Sequence, residues 1–252
     1  MANIIKDSST RIKTAIVLLV AVVLLGLIDS FFLFWTAFGV MLMVAISESK
    51  VLYDLKSDTI YVYAAIIWLA AFYYPMPEDL IFIAAIGMAS QLAYKKTLSK
   101  KLFLPLLYPT ASFLFLLSLY SEYGVMSLLW LLVIVACADT GAYFVGKSFG
   151  KTKFSETSPN KTLEGVIGGV VIASVFGSFF AISSVSIVWG IIISSIVAFA
   201  SVFGDLFESY LKREAGVKDS GSFLPGHGGI LDRTDGYLFG AIVMLVLLRI
   251  AM

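Results

Sequence analysis

Long apolar runs occupy most of this sequence, and they constrain its fold more than any other feature. Of its 252 residues, 60% are hydrophobic and only 14% are charged, whereas soluble domains are about half apolar and about a quarter charged. A helix needs about 20 mostly apolar residues to cross the hydrocarbon core of a bilayer, and the runs approach that length. The sequence therefore predicts an all-α, polytopic integral membrane protein with about nine transmembrane helices. The predicted spans cover residues 13–29, 31–47, 59–74, 79–95, 102–120, 124–146, 163–183, 186–204 and 236–251.

The basic residues fall on one side of the predicted spans. Of the 18 Lys and Arg residues, all but Arg249 lie in the N-terminus or in alternate connections between spans. Because basic residues resist translocation, we expect the N-terminus and these connections to lie on the cytoplasmic face of a bacterial inner membrane. The connections lie around residues 48–58, 95–101, 147–162 and 205–235.

The composition argues against two classes of function. The net charge is only +1, and no block of basic residues recurs with interleaved aromatics, so we expect no nucleic-acid binding. The single cysteine, Cys137, lies in an apolar run, which favours a packed thiol over redox chemistry.

Polar groups inside the predicted spans are few in the first half of the chain and more frequent in the second. We therefore predict one membrane protein in two parts. Residues 1–120 form N-terminal transmembrane helices that act as a scaffold and could carry dimer contacts. Residues 121–252 form the catalytic transmembrane region, whose site faces the cytoplasm.

Residues 209–235 combine charge and glycine between apolar flanks, and they include the only histidine, His227. Gly216 is predicted to end the preceding helix, and the later glycines let backbone N–H groups approach an anion closely. With the positive charge of this run, the pattern indicates phosphate binding. The cations concerned are Lys212, Arg213, Lys218 and Arg233. Two alternatives stay open: a flexible basic loop that touches anionic lipid, and a His227 that only forms hydrogen bonds in a turn.

Three aspartates lie within or beside this run. Asp205 is close to hydrocarbon depth, where a lone carboxylate costs about 2.5–3.5 kcal/mol, and it forms a polar stripe with Glu208 and Lys212 at helical spacing. Asp232 and Asp235 stand three residues apart at the start of the ninth span, where they could simply cap the helix. Together with Asp205, however, they form a set of oxygen ligands that suits Mg²⁺.

The connection before the seventh span reads Ser-Pro-Asn-Lys-Thr-Leu-Glu-Gly over residues 158–165. The proline and the polar residues indicate a helix entrance, where Lys161 and Thr162 could meet a phosphate at the positive end of the helix dipole. The alternative is a capped helix start, in which Gly165 and Gly169 form a packing surface of small residues.

The predicted sixth span contains Asp139, an intramembrane carboxylate that calls for a partner. Residues 141–148 at the end of this span match the Walker A pattern literally. That motif requires a preceding strand and a following helix in an α/β domain. A membrane span provides neither, so we discount the match.

The run 209–235 resembles the signature of the phosphatidate cytidylyltransferases, also called CDP-diglyceride synthases. Twelve positions stand at the family spacing: Ser209, Lys212, Arg213, Lys218, Asp219, Pro225, His227, Gly228, Gly229, Asp232, Arg233 and Asp235. The segment Asp139-Thr-Gly-Ala-Tyr and residues 158–165 also resemble family motifs. One departure is Asn160, where many members carry lysine, and it leaves one charge fewer for a triphosphate.

The resemblance implies transfer of the cytidylyl group of CTP to phosphatidic acid, which gives CDP-diacylglycerol and pyrophosphate. It also implies dependence on Mg²⁺, K⁺ as a second cation, and a homodimer surrounded by membrane lipids. By this resemblance the metal ligands are Asp205 and Asp232, and the catalytic residues are Asp232, Asp235, Lys218 and Asp219. The substrate-binding residues are Lys161, Thr162, Ser209, Lys212, Arg213, His227, Gly228, Gly229 and Arg233.

Other functions stay open at this point. A CTP-dependent polyprenol kinase, or a cytidylyltransferase acting on an ether-linked lipid phosphate, could use similar cations and a similar topology. An ion transporter with Asp139 and Asp205 along its pathway is a more remote alternative. Transporters often carry repeats and broken helices in both halves, whereas the polar residues of this chain are concentrated in one half.

Overall fold

The structure, a computed structural model, describes the backbone of residues 2–252 and the side chains from residue 10 onward. Nine α-helical segments account for most of this part of the chain. They are α1 (Ala2–Ile28), α2 (Phe31–Leu52), α3 (Thr59–Ala71), α4 (Leu80–Tyr94), α5 (Phe103–Pro105), α6 (Ser112–Phe149), α7 (Leu163–Ser178), α8 (Ile187–Glu214) and α9 (Leu231–Ala251). Short 3₁₀ turns at Pro77–Asp79 and Lys100–Leu102 and a π-helical segment at Leu106–Ala111 connect some of them. Across the described backbone there is no β-strand, only two isolated bridges, and the predicted all-α class is confirmed.

Five helices of the described chain are long and apolar enough to cross a membrane, by length and composition. They are Thr10–Ile28, Phe31–Leu52, Lys100–Phe149, Ile187–Glu214 and Leu231–Ala251. The prediction of about nine spans is not confirmed. Helices α3, α4 and α7 have only 13, 15 and 16 residues, and the predicted fifth and sixth spans both fall within the stretch Lys100–Phe149, which is broken at Gly124. The predicted cytoplasmic N-terminus begins at Met1, which lies outside the described residues.

Helix α6 is interrupted at Gly124. This residue has φ +71° and ψ −176°, a backbone conformation that only glycine adopts without strain. The hydroxyl of Ser127 donates to the Gly124 carbonyl oxygen at 2.7 Å and to that of Leu119 at 3.0 Å. The break lies directly after residues 120–123, the predicted connection between the fifth and sixth spans.

The chain packs as two compact units. The first contains Met1–Leu117 and Glu214–Arg233, and the second contains Ser118–Arg213 and Thr234–Met252. The charged and glycine-rich loop before α9, residues 214–230, therefore belongs to the same unit as the first four helices. The predicted division into a scaffold and a catalytic region at residue 120 stays a prediction.

Each unit has an apolar core with a buried tryptophan. In the first unit the indole nitrogens of Trp35 and Trp68 donate to each other's carbonyl oxygens at 2.9 and 3.2 Å, which joins α2 to α3. In the second unit the fully buried Trp130 of α6 donates to the Ser194 hydroxyl of α8 at 3.0 Å. Both contacts satisfy an indole N–H that would otherwise be buried without a partner.

Helices α6 and α7 approach each other through glycine, within the second unit. A Cβ atom added at Gly169 would lie 2.4 Å from the Ala138 carbonyl oxygen, and one at Gly165 would lie 2.8 Å from that of Ala142. The expected packing surface of small residues is therefore present. Residues 141–148, the literal Walker A match, lie inside α6, which agrees with discounting that motif.

Candidate functional site

The loop between α8 and α9 starts and turns at glycines with positive φ. Helix α8 ends at Glu214, and Gly216 follows with φ +69°, as expected for a helix stop. Gly226 and Gly228 have φ +77° and +84°. They form a tight turn in which the His227 N–H donates to the Leu224 carbonyl oxygen at 2.8 Å.

Glu48 places a buried carboxylate at the N-terminus of α9. It comes from the last part of α2 and is only 5% exposed. Its Oε1 accepts the backbone N–H of Ile230, and its Oε2 accepts that of Leu231, both at 2.9 Å. Because a helix N-terminus carries partial positive charge, this carboxylate satisfies the first donors of α9 and stabilises its start.

Asp232, in the first turn of α9, also points its carboxylate back into the loop. Its Oδ2 accepts the backbone N–H groups of Ser220 and Gly229, both at 2.8 Å. The Ser220 hydroxyl lies 2.9 Å from the same oxygen and 3.1 Å from Oε2 of Glu48. Ser220 therefore lies between the two carboxylates.

Three glycines leave room for these carboxylates. A Cβ atom at Gly229 would lie 2.5 Å from both Glu48 carboxylate oxygens, and one at Gly221 would lie 2.7 Å from Oε1. A Cβ atom at Gly228 would lie 2.6 Å from Oδ2 of Asp232. We expected glycine to let the backbone approach a phosphate, but here it lets the backbone approach protein carboxylates. The predicted substrate-binding role of Gly228 and Gly229 stays a prediction.

Three of the other predicted residues in or next to this loop lie at the surface. The side chains of Lys218, Asp219 and Arg233 are exposed, and Nε of Arg233 donates to the His227 carbonyl oxygen at 2.9 Å. Nδ1 of His227 is buried and has no hydrogen-bond partner within the described part of the chain. Arg233 thus reinforces the turn at His227, while Lys218 and Asp219 are open to solvent.

In the second unit, the predicted residues Lys161 and Asp205 form an ion pair. Oδ1 of Asp205 also lies 3.3 Å from the Ser209 hydroxyl, one turn later on α8. Both charged residues border a cavity of about 440 Å³. The cavity is lined by Asp139, Ala142, Tyr143, Gly146, Lys147, Asn160, Lys161, Thr162, Gly165, Val166, Val202 and Asp205.

A second pair of charges lies one turn further along α8. Lys212 donates to Oε2 of the fully buried Glu208 at 2.9 Å. Asp235 of α9 is close enough to Glu208 and Asp205 for the three carboxylates to interact electrostatically. The close approach of the two helices explains this, because a Cβ atom at Gly204 would lie 2.4 Å from the Asp235 carbonyl oxygen. Arg213 is exposed in the last turn of α8.

The entrance to α7 is a capped helix start. The Thr162 hydroxyl accepts the Gly165 N–H at 3.2 Å. The Glu164 carboxylate accepts the N–H groups of Lys151 and Thr152 at 3.1 to 3.2 Å and the Thr152 hydroxyl at 2.9 Å. The capping alternative is therefore correct for Thr162, whereas Lys161 faces the cavity and Asp205. A phosphate contact for either residue stays a prediction.

The carboxylates of the site suit Mg²⁺ only if waters and substrate phosphates complete its coordination. Among the side chains described, no group of three or more His, Cys, Asp or Glu residues could hold an ion. Mg²⁺, however, is usually bound by one or two carboxylates together with waters and substrate phosphates. Asp205 and Asp232 belong to different packing units, so their predicted pairing at one metal ion stays a prediction.

The fold and these residues define the class: an all-α membrane protein whose candidate site residues include carboxylates and cations suited to phosphate chemistry. The model of the cytidylyltransferase family matches residues 9–251, and the chain belongs to this family. It is 44% identical to the phosphatidate cytidylyltransferase of Helicobacter pylori strain J99, over 98% of this chain and 93% of that protein. It is 51% identical to the Bacillus subtilis phosphatidate cytidylyltransferase over 47% of this chain and 45% of that protein. The family resemblance of the signature run is thus confirmed.

Sequence reasoning missed two residues that organise the loop before α9. Glu48 lies at the end of an apolar run far from the signature, and nothing in its local sequence indicates a contact with residues 182 positions later. Ser220 stands inside the signature run but not among the matched positions. The one available signal was the charge of Glu48 itself, since a carboxylate at the end of a span calls for partners.

Proposed function

We propose that this protein transfers the cytidylyl group of CTP to phosphatidic acid, giving CDP-diacylglycerol and pyrophosphate in phospholipid biosynthesis. The observation that carries the proposal is the 44% identity to a phosphatidate cytidylyltransferase over 98% of the chain. Relatives with that name in Helicobacter pylori, Bacillus subtilis and Thermotoga maritima support it. No specific observation favours the kinase, the ether-lipid enzyme or the transporter.

The reaction joins two anions. A phosphate oxygen of phosphatidic acid attacks the α-phosphorus of CTP, a new P–O bond forms, and the bond from that phosphorus to the bridging oxygen breaks to release pyrophosphate. The lipid supplies the nucleophile, so no covalent enzyme intermediate is required. The protein's task is to hold both phosphates and to neutralise charge on the reacting group.

The cavity in the second unit supports a role in phosphate binding. Lys161 and Lys147 border it, and its volume of about 440 Å³ lies in the range of small-molecule sites, about 300–1,000 Å³. We assign phosphate contacts to Lys161 and Thr162 there, and to Lys212, Arg213, Lys218 and Arg233 of the signature run. Asn160 contributes an amide to the cavity, where the family resemblance led us to expect a lysine.

The metal assignment rests on the family resemblance and the donor chemistry. Asp205 and Asp232 are the proposed Mg²⁺ ligands, with Asp235 and Asp219 as catalytic carboxylates and K⁺ as a second cation. Bound Mg²⁺ would neutralise phosphate charge and orient the triphosphate. The loop donors hold the Asp232 carboxylate in one orientation, which suits a residue that must meet a metal.

The one-sided distribution of Lys and Arg supports a multi-pass protein of the bacterial inner membrane, with its site facing the cytoplasm. CTP is available on that side. A homodimer in contact with membrane lipids completes the proposal.

The experiment uses purified protein in phosphatidate-containing vesicles with Mg²⁺ and CTP. With label on the α-phosphorus, we expect the label in the lipid product, and with label on the γ-phosphorus we expect it in pyrophosphate. Transfer of the γ-label to lipid would instead indicate a kinase. Replacing phosphatidate by an ether-linked lipid phosphate or by polyprenol tests the lipid, and label that enters only those acceptors would refute the proposal.

A further inference from the structure

Glu48 is a buried charge to which the proposed reaction assigns no role. It belongs to α2, in the part of the chain that we assigned to a scaffold, and it is only 5% exposed. Burying a carboxylate is costly unless hydrogen bonds compensate. Two backbone N–H groups at the start of α9 provide that compensation, and the Ser220 hydroxyl lies 3.1 Å from Oε2.

The Glu48 contacts lie on both sides of Asp232, the proposed metal ligand. Ile230 and Leu231, which donate to Glu48, immediately precede Asp232 in the chain. Ser220, which lies against Glu48, donates to Asp232 through both its hydroxyl and its N–H. Glu48 therefore fixes both segments that determine where the Asp232 carboxylate points.

The loop is shaped to receive this glutamate. Gly221 and Gly229 each pass so close to the Glu48 carboxylate that a Cβ atom would lie within 2.7 Å of it. The contact thus depends on α2, on the loop and on the start of α9 at once. A side chain at either glycine would force the loop or the Glu48 carboxylate to shift.

We infer that Glu48 is a positioning residue for the cytidylyl transfer: its carboxylate holds the N-terminus of α9 and the Ser220 segment so that Asp232 is presented in its reactive orientation. This inference rests on the proposed function. It also means that the first donors of α9 serve a protein carboxylate and do not bind a substrate phosphate.

The test compares wild-type protein with Glu48→Gln, which keeps the shape and removes the charge. Groups that orient a metal ligand typically contribute about 10- to 100-fold to activity, so we expect kcat to fall by about that factor. The KM for CTP should stay nearly unchanged, because Glu48 touches none of the proposed phosphate-binding cations. Glu214→Gln is the matched control, since Glu214 is exposed in the same unit, and it should retain wild-type kcat.

A second measurement is independent of turnover. Hydrogen exchange of the peptide covering residues 219–232, in protein without CTP or Mg²⁺, should be faster in Glu48→Gln than in the wild type and in Glu214→Gln. If Glu48→Gln does not fold, Glu48→Asp keeps the charge and shortens the side chain, and it should lose kcat to a smaller extent at an unchanged KM. Wild-type kcat in a folded Glu48 variant would overturn the inference, as would a lower kcat with unchanged exchange. An inactive wild type would instead count against the proposed function.

Discussion

Lys161 and Asp205 form an ion pair between the loop before α7 and the middle of α8, beside the cavity of the second unit. The pair joins a predicted phosphate-binding cation to a predicted metal ligand. Each residue therefore has a protein partner before any substrate binds. A CTP phosphate and a metal ion would have to compete with that pair or extend it.

We expect Lys161→Gln to lower kcat/KM for CTP by about 10- to 100-fold, because a charge-assisted contact is worth about 1.5–3 kcal/mol. Lys161→Arg should restore part of the loss, since it keeps the charge. Steady-state kinetics in phosphatidate vesicles measure both variants. The control is Lys153→Gln, which removes an exposed lysine from the same loop. Equal losses in the two glutamine variants would contradict a specific role for Lys161.

Asp232→Asn should reduce turnover by at least about 100-fold, because the amide removes the charge of a proposed metal ligand. Membrane insertion should remain intact, because an amide oxygen still accepts hydrogen bonds from Ser220 and Gly229. Activity at increasing Mg²⁺ concentrations, together with the amount of protein in the membrane fraction, gives the result. Asp54→Asn is the control, since Asp54 is exposed and asparagine tolerates its φ of +52°. Normal Mg²⁺-dependent activity in Asp232→Asn would remove this residue from the site.

Gly229→Ala should destabilise the protein by about 1–3 kcal/mol, because its Cβ atom would lie 2.3 Å from the Ser220 oxygen and 2.5 Å from the Glu48 carboxylate. Thermal unfolding in detergent and kcat should both decrease. Gly87→Ala, inside α4, is the comparison. Its Cβ atom would lie 3.3 Å from a Tyr63 ring atom, and alanine favours a helix by about 1 kcal/mol. A Gly229→Ala protein as stable and active as Gly87→Ala would show that the loop can relax away from Glu48.

Glu164→Ala should loosen the loop before α7, because its carboxylate accepts from Lys151 and Thr152. We expect trypsin to cleave after Lys151 and Lys153 several times faster than in the wild type. Glu156→Ala, in the same loop and exposed, serves as the control. Unchanged cleavage in Glu164→Ala would mean that other contacts hold this loop.

The helical class, the break near residue 124 and the pairing of polar positions along α8 could be predicted, because each depends on local pattern. Hydropathy was less decisive for the number of spans. Several apolar runs fold into helices of 16 residues or fewer, which the predicted spans did not distinguish from full-length membrane helices. The start of α7 was recognisable as a helix entrance from its proline and threonine, although the sequence left its role undecided.

The surroundings of Asp232 could not be predicted in the same way. The signature indicated a reactive carboxylate and a glycine-rich loop, but the glycines suggested an approach to phosphate. The group they actually approach, Glu48, comes from a helix more than 170 positions earlier. Contacts at such separation depend on tertiary packing, which a pattern read along the chain does not contain.

The contact between Glu48 and the start of α9 has a consequence for how this enzyme can be divided. A fragment that begins after α5 would keep all twelve matched signature positions and the cavity residues. It would lack the acceptor for the Ile230 and Leu231 amides, so only the Ser220 and Gly229 donors would remain to orient the aspartate that follows them. On the role proposed for Glu48, the smallest fully active version of this protein retains α2, and a graft of the signature onto another membrane scaffold includes its distant glutamate.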